Sequence, residues 1–396
     1  IMLGCQQDIT SPTPFSSSSP VGAASLNKAP VNYPLKLSTN KRYLVDQLNV
    51  PVLMSGDAPW SLICGGYSNL KAADADLYLK TRAAYGFNTV IVNLIEHQFT
   101  SNPPANAYGV QPFTGRTFTT PNEPYFVYAD SVIRMAAKYN INVMLFPCYS
   151  GYQLSSQGWA AEMSSATTAE MYSWGQYVGN RYKNFPNIIW SIGGDANPGS
   201  ILSKLQNVMA GIRSTDFNHL ITAHNAPESY GITPFPGLLD INNVYSYSTS
   251  LYSRYKTAYN YSPTMPYFLM ETGYEGESGT QQSIRAAAYW AVLSGGCGEV
   301  YGNNPMWNFS AGWQSALTSP GSVSMKNLVL LFESRNWFNL IPEFTTAVLT
   351  SGSSTGTSYA IAAYGSDSSS IIAYLPTSRA ITVNTSRLRG ATITAY

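Results

Sequence analysis

The chain has 396 residues, with 22 Lys+Arg against 21 Asp+Glu, a formal charge of +1 and only 11% charged side chains. That length is ample for a large core, and so neutral a composition leaves no electrostatic footprint for nucleic acid or anionic lipid. With 29 Tyr and 8 Trp, the uncharged polar surface suits sugars, whose C–H faces stack on rings while their hydroxyls seek neutral donors and acceptors; a general Tyr enrichment of exported proteins accounts for the same counts.

The chain opens with IMLGC and continues as QQDITSPTPFSSSSPVGAAS. An apolar stub ending in Gly-Cys before a Ser/Pro/Thr-rich tether resembles the end of a bacterial lipoprotein signal peptide, with Cys5 as the lipidated residue. An ordinary signal remnant with an incidental cysteine is the alternative. Residues 1–30 read as targeting and linker material, which implies an exported protein, either a cell-surface or periplasmic lipoprotein or a secreted one. No other stretch is apolar and long enough to span a bilayer, so any membrane attachment runs through that lipid.

Eight apolar runs follow: VPVLMSG near 50–56, NTVIVNL at 88–94, INVMLFPC at 141–148, NIIWSIG at 187–193, HLITAHN at 219–225, INNVYSYS at 241–248, PYFLMET at 266–272 and GCGEVYG at 296–302. Most alternate with helical patterns, as in AADADLYLKTRAAYG, PYFVYADSVIRMAAKYN, TTAEMYSWGQYVGNRYKNF, SILSKLQNVMAGIRS and QQSIRAAAYWAVLSGG. The segment between the sixth and seventh runs is Tyr-rich and only weakly helical, and MKNLVLLFESRNWFNLI reads as the last helix. Eight buried parallel strands with intervening helices predict an α/β fold, a (β/α)8 TIM barrel. After Pro342, TTAVLTSG, SYAIAAYG, SIIAYLP, AITVN and ATITAY alternate between Ser/Gly turns. They predict a small antiparallel β-sandwich domain that stops mid-pattern and so reads as incomplete. The expected division is linker 1–30, catalytic barrel 31–342 and β-domain 343–396.

Apart from Cys5, the cysteines are Cys64, Cys148 and Cys297, an odd number with no C-x-x-C spacing. His97, His219 and His224 have no H-x-x-x-H spacing, so the residues point to no disulfide framework, no metal site and no cofactor. Chemistry is expected instead from acids at strand ends, because barrel enzymes place their catalytic side chains on the C-terminal rim. Asp195 in IIWSIGGDANP and Glu271 in PYFLMETGYEG sit where an apolar run gives way to a Gly-containing loop. Two carboxylates so placed are the minimum for cleaving a glycosidic bond. A helix N-cap for Asp195 and a strand-end salt bridge for Glu271 are the structural alternatives.

Asp57, following the first run, is a candidate for a sugar hydroxyl or a turn residue before Pro59. Glu275, four residues past Glu271, is the rival nucleophile or a hydroxyl clamp. His224 can orient Asp195 or bind sugar, and Asn93, Glu96 and His97 follow the second run on the same rim. Tyr245, Tyr301, Asn304, Trp60 and Trp307 are candidate pocket walls and stacking platforms.

GDAPWSL at 56–62, NIIWSIGGD at 187–195, ETGYEG at 271–276 and AAAYWAVLSGGCGEVYGNNPMW at 286–307 resemble, in order, the signatures of the apiosidase-like catalytic domain of bacterial glycoside hydrolase family 140. That resemblance covers about 43–340, and the tail resembles the β-sandwich, labelled a collagen-binding domain, that usually follows. It implies a (β/α)8 barrel acting on β-linked apiose of plant cell-wall pectin, with an Asp after the fourth strand and a Glu after the seventh, which here are Asp195 and Glu271. Asp195 is then the general acid and Glu271 the nucleophile, with retention by analogy. NNVYSYST stands where related sequences more often carry a Gln-Ser-Gly-His-like run, ETGYEG replaces a Glu-Pro-x-Tyr-Glu pattern, and Glu299 stands where His is common. A glycosidase for another furanose or an arabinan-like side chain is the alternative enzyme, and a non-catalytic glycan- or matrix-binding surface lipoprotein the alternative from another class.

Overall fold

The computed structural model describes residues 29–390 and 392–395; Cys5 and its lipidation motif lie outside the described residues. Each of the eight apolar runs contributes a strand: β1 Met54–Asp57, β2 Thr89–Asn93, β3 Asn142–Phe146, β4 Ile188–Gly193, β5 Ile221–His224, β6 Asn242–Tyr245, β7 Tyr267–Glu271 and β8 Gly298–Tyr301. Their order in the sheet is β5-β4-β3-β2-β1-β8-β7-β6, all parallel. Between β5 and β6 side chains help close the barrel. Asp240 N–H donates to Ile221 O at 2.9 Å, Thr222 Oγ1 to Ile241 O at 3.0 Å, and Asn243 Nδ2 to Thr222 Oγ1 at 3.1 Å and to Ala223 O.

Both faces of each strand are buried, so the runs read as continuous rather than alternating. Ile91 of β2 belongs to the barrel interior with Met54, Met144, Phe146, Ile189, Phe268, Met270 and Val300. Its neighbours Val90 and Val92 face outward into the larger shell with Tyr78, Ile133, Trp174, Leu205, Trp290 and Leu328 of the helices. Each aliphatic or aromatic side chain so buried contributes about 1.5–3 kcal/mol.

The longer helices are α1 Ala72–Ala84, α2 Glu123–Lys138, α3 Thr168–Tyr182, α4 Leu202–Arg213, α5 Leu251–Tyr259, α6 Gln281–Leu293 and α7 Pro320–Glu333. Local chemistry starts several of them. Thr167 caps α3 by accepting the Glu170 N–H at 3.1 Å while Glu170 accepts the Thr167 N–H at 2.7 Å, a reciprocal capping box. The weakly helical segment after β6 does form α5, because Leu251, Tyr255 and Ala258 fall on one buried face. The β5–β6 connection has no helix; the short strand Ser229–Tyr230 runs antiparallel along β6 instead.

Two expectations change. The first run splits, with Pro51–Val52 joining Lys36–Leu37 and Leu44–Val45 in an antiparallel meander whose Leu35, Leu44 and Val52 pack into the barrel interior. The last helix starts earlier and ends earlier than its periodicity suggests: Ser319 caps it, Pro320 occupies its first turn, and Leu340–Glu343 is a strand. Pairing with Ile361–Gly365 overrides helical propensity there, and the division expected at 342/343 falls inside this strand.

Leu340–Glu343, Ile361–Gly365 and Ile371–Tyr374 form one antiparallel sheet, and Leu349–Ser351 with Thr382–Val383 a second. They pack through Val348, Leu349, Ala360 and Ala362. Residues 392–395 form no strand, having no partner among the described residues. The sandwich docks on α5 and α6 by ring stacking, Tyr252 on Tyr359 at 3.7 Å and Tyr289 on Tyr374 at 4.4 Å, and by the Trp290 Nε1–H to Tyr359 O bond of 3.0 Å.

Candidate active site

At the C-terminal end of β4 the chain takes three positive φ angles in succession, 90° at Gly193, 137° at Gly194 and 54° at Asp195. Glycine is required at the first two. A Cβ on Gly193 would lie 2.6 Å from His224 O, and one on Gly194 would lie 2.2 Å from the Tyr149 ring. Asp is among the few other residues that accept the left-handed region. The turn lets Gly194 N–H donate to His224 O at 2.8 Å and Asp195 N–H to His224 Nδ1 at 2.7 Å. Its carboxylate, half-buried, accepts Tyr245 O–H at 2.7 Å and Tyr149 O–H at 3.2 Å.

His224 ends β5 with no exposure. Because its Nδ1 accepts from a backbone N–H, Nε2 must carry the ring proton, and that N–H points at Glu271 Oε2, 2.9 Å away. Glu271, 7% exposed at the end of β7, also accepts Tyr247 O–H at 3.4 Å. Tyr245 and Tyr247 share a hydrogen bond of 3.0 Å, so the two acids are joined by an imidazole on one side and by two phenols on the other. Tyr245 stacks on His224 at 4.9 Å. Trp60, 7% exposed, packs edge-on to the same imidazole at 5.5 Å and donates its Nε1–H to the Tyr274 hydroxyl at 2.8 Å.

Burial, and after it the negative charge of Asp195, push the Glu271 carboxyl up to about 7, against the lowering effect of the His224 and Tyr247 hydrogen bonds. Glu271 therefore holds its proton toward neutral pH more readily than a solvated carboxyl does. Burial, then the charge of Glu271, raise Tyr245, Tyr247 and Tyr274 above the ordinary phenol range, and burial followed by Asp195 does the same for Tyr149. These phenols therefore remain O–H donors.

Several expected sugar-binding residues face elsewhere. Asp57 points outward from β1 with 1% exposure, accepting Arg82 Nε–H at 2.6 Å and Tyr78 O–H from α1. Tyr301 likewise faces the helices. Glu275 accepts from Tyr301 O–H, from Ser319 Oγ at 2.7 Å and from Gly321 N–H at 2.8 Å, so it ties the β7 loop to the start of α7 and is not free as a nucleophile. For Asp57 and Tyr301 the reason is strand alternation: Gly56 and Val300 face the interior, so the residues that follow them face the helices.

Glu96, with no exposure, organises the β2 loop. It accepts the N–H of His97, Gln98 and Phe99 on one oxygen, and Ser61 Oγ and Asn93 Nδ2 at 3.2 and 3.1 Å on the other. His97 pairs with Glu162 at 3.1 Å and lies edge-on to Trp159. Trp307 donates to Glu277 at 2.8 Å, meets Phe99 edge-on at 4.8 Å and packs with it against the interior cluster that holds Trp60 and Tyr274. Asn304 is half-buried, its backbone N–H bonded to Glu275 O at 2.8 Å.

Sequence reasoning missed Tyr149, Tyr247 and Tyr274. Tyr149 lies three residues past β3 and Tyr247 two past β6, so the strand-end rule applied to acids would have found them had it been applied to hydroxyls. Cavities of about 270 Å³ and 200 Å³ lie elsewhere, one lined by Tyr230, Asn242 and Tyr261 and the other by Arg42, Tyr259 and Trp337; neither is lined by the acids or their donors.

Residues 38–339 match the sequence model of the family described as "Apiosidase-like, catalytic domain". No curated protein matches the chain significantly. Among solved structures, one titled "Glycoside hydrolase" aligns with a TM-score of 0.78 at 24% identity, covering 91% of this chain and 87% of its own. A glycoside hydrolase family 5 protein from Bacteroides vulgatus ATCC 8482 aligns with a TM-score of 0.79 at 24% identity, over 90% and 84%. An endo-1,4-beta-mannanase from Rhizomucor miehei aligns with a TM-score of 0.56 at 12% identity, over 76% and 99%. At such identities the structural likeness is one of fold.

Proposed function

Since the chain belongs to the apiosidase-like catalytic domain family and is thereby a glycosidase acting on a carbohydrate, we propose that it is an exo-enzyme releasing β-linked apiose from pectin side chains, with retention of configuration. The observation that carries the mechanism is the pairing of Asp195 and Glu271 through His224 on one side and Tyr245 and Tyr247 on the other.

Asp195, half-exposed, is the acid: it protonates the leaving oxygen as the bond to the anomeric carbon breaks, then removes a proton from the incoming water. Glu271, buried beneath it, is the nucleophile, and its attack forms the glycosyl ester that this water hydrolyses. The His224 Nε2–H and the Tyr247 hydroxyl favour its ionised form, and the reaction starts with the transferable proton on Asp195. We place the enzyme outside the cytoplasm, secreted or tethered through Cys5, on the strength of the IMLGC motif.

A second substrate reading, another furanose or an arabinan-like side chain, draws support from Tyr247. It belongs to the NNVYSYST segment that departs from the family pattern, and it touches Glu271.

The test is hydrolysis of plant polysaccharides and aryl furanosides, apiosides included, by the wild type, Asp195→Ala and Glu271→Gln. Expected are release of apiose, loss of turnover by about 10³-fold or more in Glu271→Gln, and rescue of Asp195→Ala by azide on substrates with activated leaving groups. Proton NMR of the first-formed sugar reads the stereochemistry. An arabinofuranosyl product would replace the substrate, an inverted product the mechanism, and full activity in either variant its assigned role.

A further inference from the structure

The β5–β6 connection, which lacks a helix, carries an acid that the site as described does not use. Glu228 has φ of 64°, a conformation unusual for a residue with so large a side chain and one that persists only where its surroundings impose it. Here they do. Its own N–H donates to Tyr245 O at 2.9 Å, and its carbonyl accepts Arg254 Nη1–H at 2.7 Å. Its carboxylate accepts Ser246 Oγ at 2.8 and 2.7 Å, Tyr247 N–H at 2.9 Å and Arg254 Nε–H at 2.6 Å. Each residue from Tyr245 to Tyr247 thus bonds to Glu228 where β6 ends. The far end of that segment is the Tyr247 hydroxyl on Glu271 Oε1. Tyr247 is 50% exposed, so core packing alone does not hold it.

We propose that Glu228 is a positioning residue for the glycosidase reaction, clamping the Tyr245–Tyr247 segment so that the Tyr247 hydroxyl stays on Glu271. The proposal rests on Glu271 being the catalytic nucleophile and is independent of which sugar is cleaved. The groups facing Glu271 are Asp195 from the β4 end, His224 from β5, Tyr245 and Tyr247 from β6, Tyr274 from the loop after β7, and Tyr149 from the loop after β3. Of these, Tyr247 is held through bonds to Glu228.

The sign of the effect separates a clamp from a bare charge. Removing a negative charge from the neighbourhood favours ionisation of Glu271 and moves the acidic limb of the kcat/KM profile downward. Loosening Tyr247 withdraws a donor from the ionised form and moves it upward. In Glu228→Gln the limb is expected to rise by roughly half to one pH unit. Tyr247→Phe should shift it similarly, and the double variant should add nothing further. Glu228 and Arg254 are 39% and 27% exposed, and an ion pair that accessible adds little to stability, so the melting temperature should hardly change.

The experiment is the pH profile of the three variants on one aryl glycoside, paired with titration of the Glu271 carboxyl followed by ¹³C NMR and assigned by difference against Glu271→Gln. A downward or unmoved titration in Glu228→Gln, with Tyr247→Phe moving upward, overturns the clamp. No movement in Tyr247→Phe overturns it as well, since the hydroxyl then does not act on Glu271. Upward movement of the carboxyl titration supports the clamp even if no glycoside is turned over, an outcome that would count against the proposed substrate alone.

Discussion

Asp57, Asp195, Glu271 and Glu275 all follow apolar runs, and what separates them is the partner each one meets. Asp57 meets a guanidinium with 0% exposure, Glu275 meets the first turn of α7, and of the four only Asp195 and Glu271 share an imidazole. Breaking a buried ion pair strands a charge at a cost of about 3–5 kcal/mol. Asp57→Asn should therefore lower unfolding free energy by about that much in denaturant titrations, while the folded fraction keeps its kcat and KM. An unchanged stability with a raised KM would instead return Asp57 to the sugar pocket. The residue types were legible, but the direction of each side chain was not, since a one-residue shift along a strand exchanges interior for exterior.

Gly193-Gly194-Asp195 joins β4 to the site, and its glycines are tertiary requirements: His224 O and the Tyr149 ring occupy the volume a side chain would need. Gly194→Ala should push Tyr149 and the Asp195 carboxylate apart. A displacement of about 1 Å costs on the order of 10²-fold in rate, so kcat should fall by about that factor with smaller loss of stability, read by steady-state kinetics beside thermal melts. All eight strands could be read from the sequence because each falls in or beside a largely apolar run that ends at a glycine or polar stop. The split of the first run and the early end of α7 could not, because Pro51–Val52 takes its structure from pairing with Leu44–Val45 and Leu340–Glu343 from pairing with Ile361–Gly365. The missing β5–β6 helix belongs with these: its replacement, Ser229–Tyr230, is a strand only because β6 lies beside it.

Across the whole molecule, stability should depend on a buried acid far from any solvent. Glu299 of β8 is 1% exposed, and burial pushes its carboxyl up to about 8, opposed by the Ser55 hydrogen bond and reinforced by the charge of Asp57. With the folded value above the unfolded one of 4.5, the unfolded chain gives up its proton first. Stability is then greatest below the unfolded value and declines as pH rises toward about 8. Glu299→Gln should remove that part of the slope, gaining on the order of a few kcal/mol over wild type at pH 8 and little at pH 4. Parallel pH-dependent unfolding curves for the two proteins would refute it.

The sequence by itself determined the barrel, its strand count and the strand ends that carry acids, because hydrophobic runs and their stops are local and survive reading one residue at a time. Only the tertiary structure decided which acids face inward and which donors reach them. A parallel strand buried on both faces does not mark its interior side in sequence, and the donors to Asp195 and Glu271 come from the ends of β3, β5 and β6, which meet only when the barrel has closed.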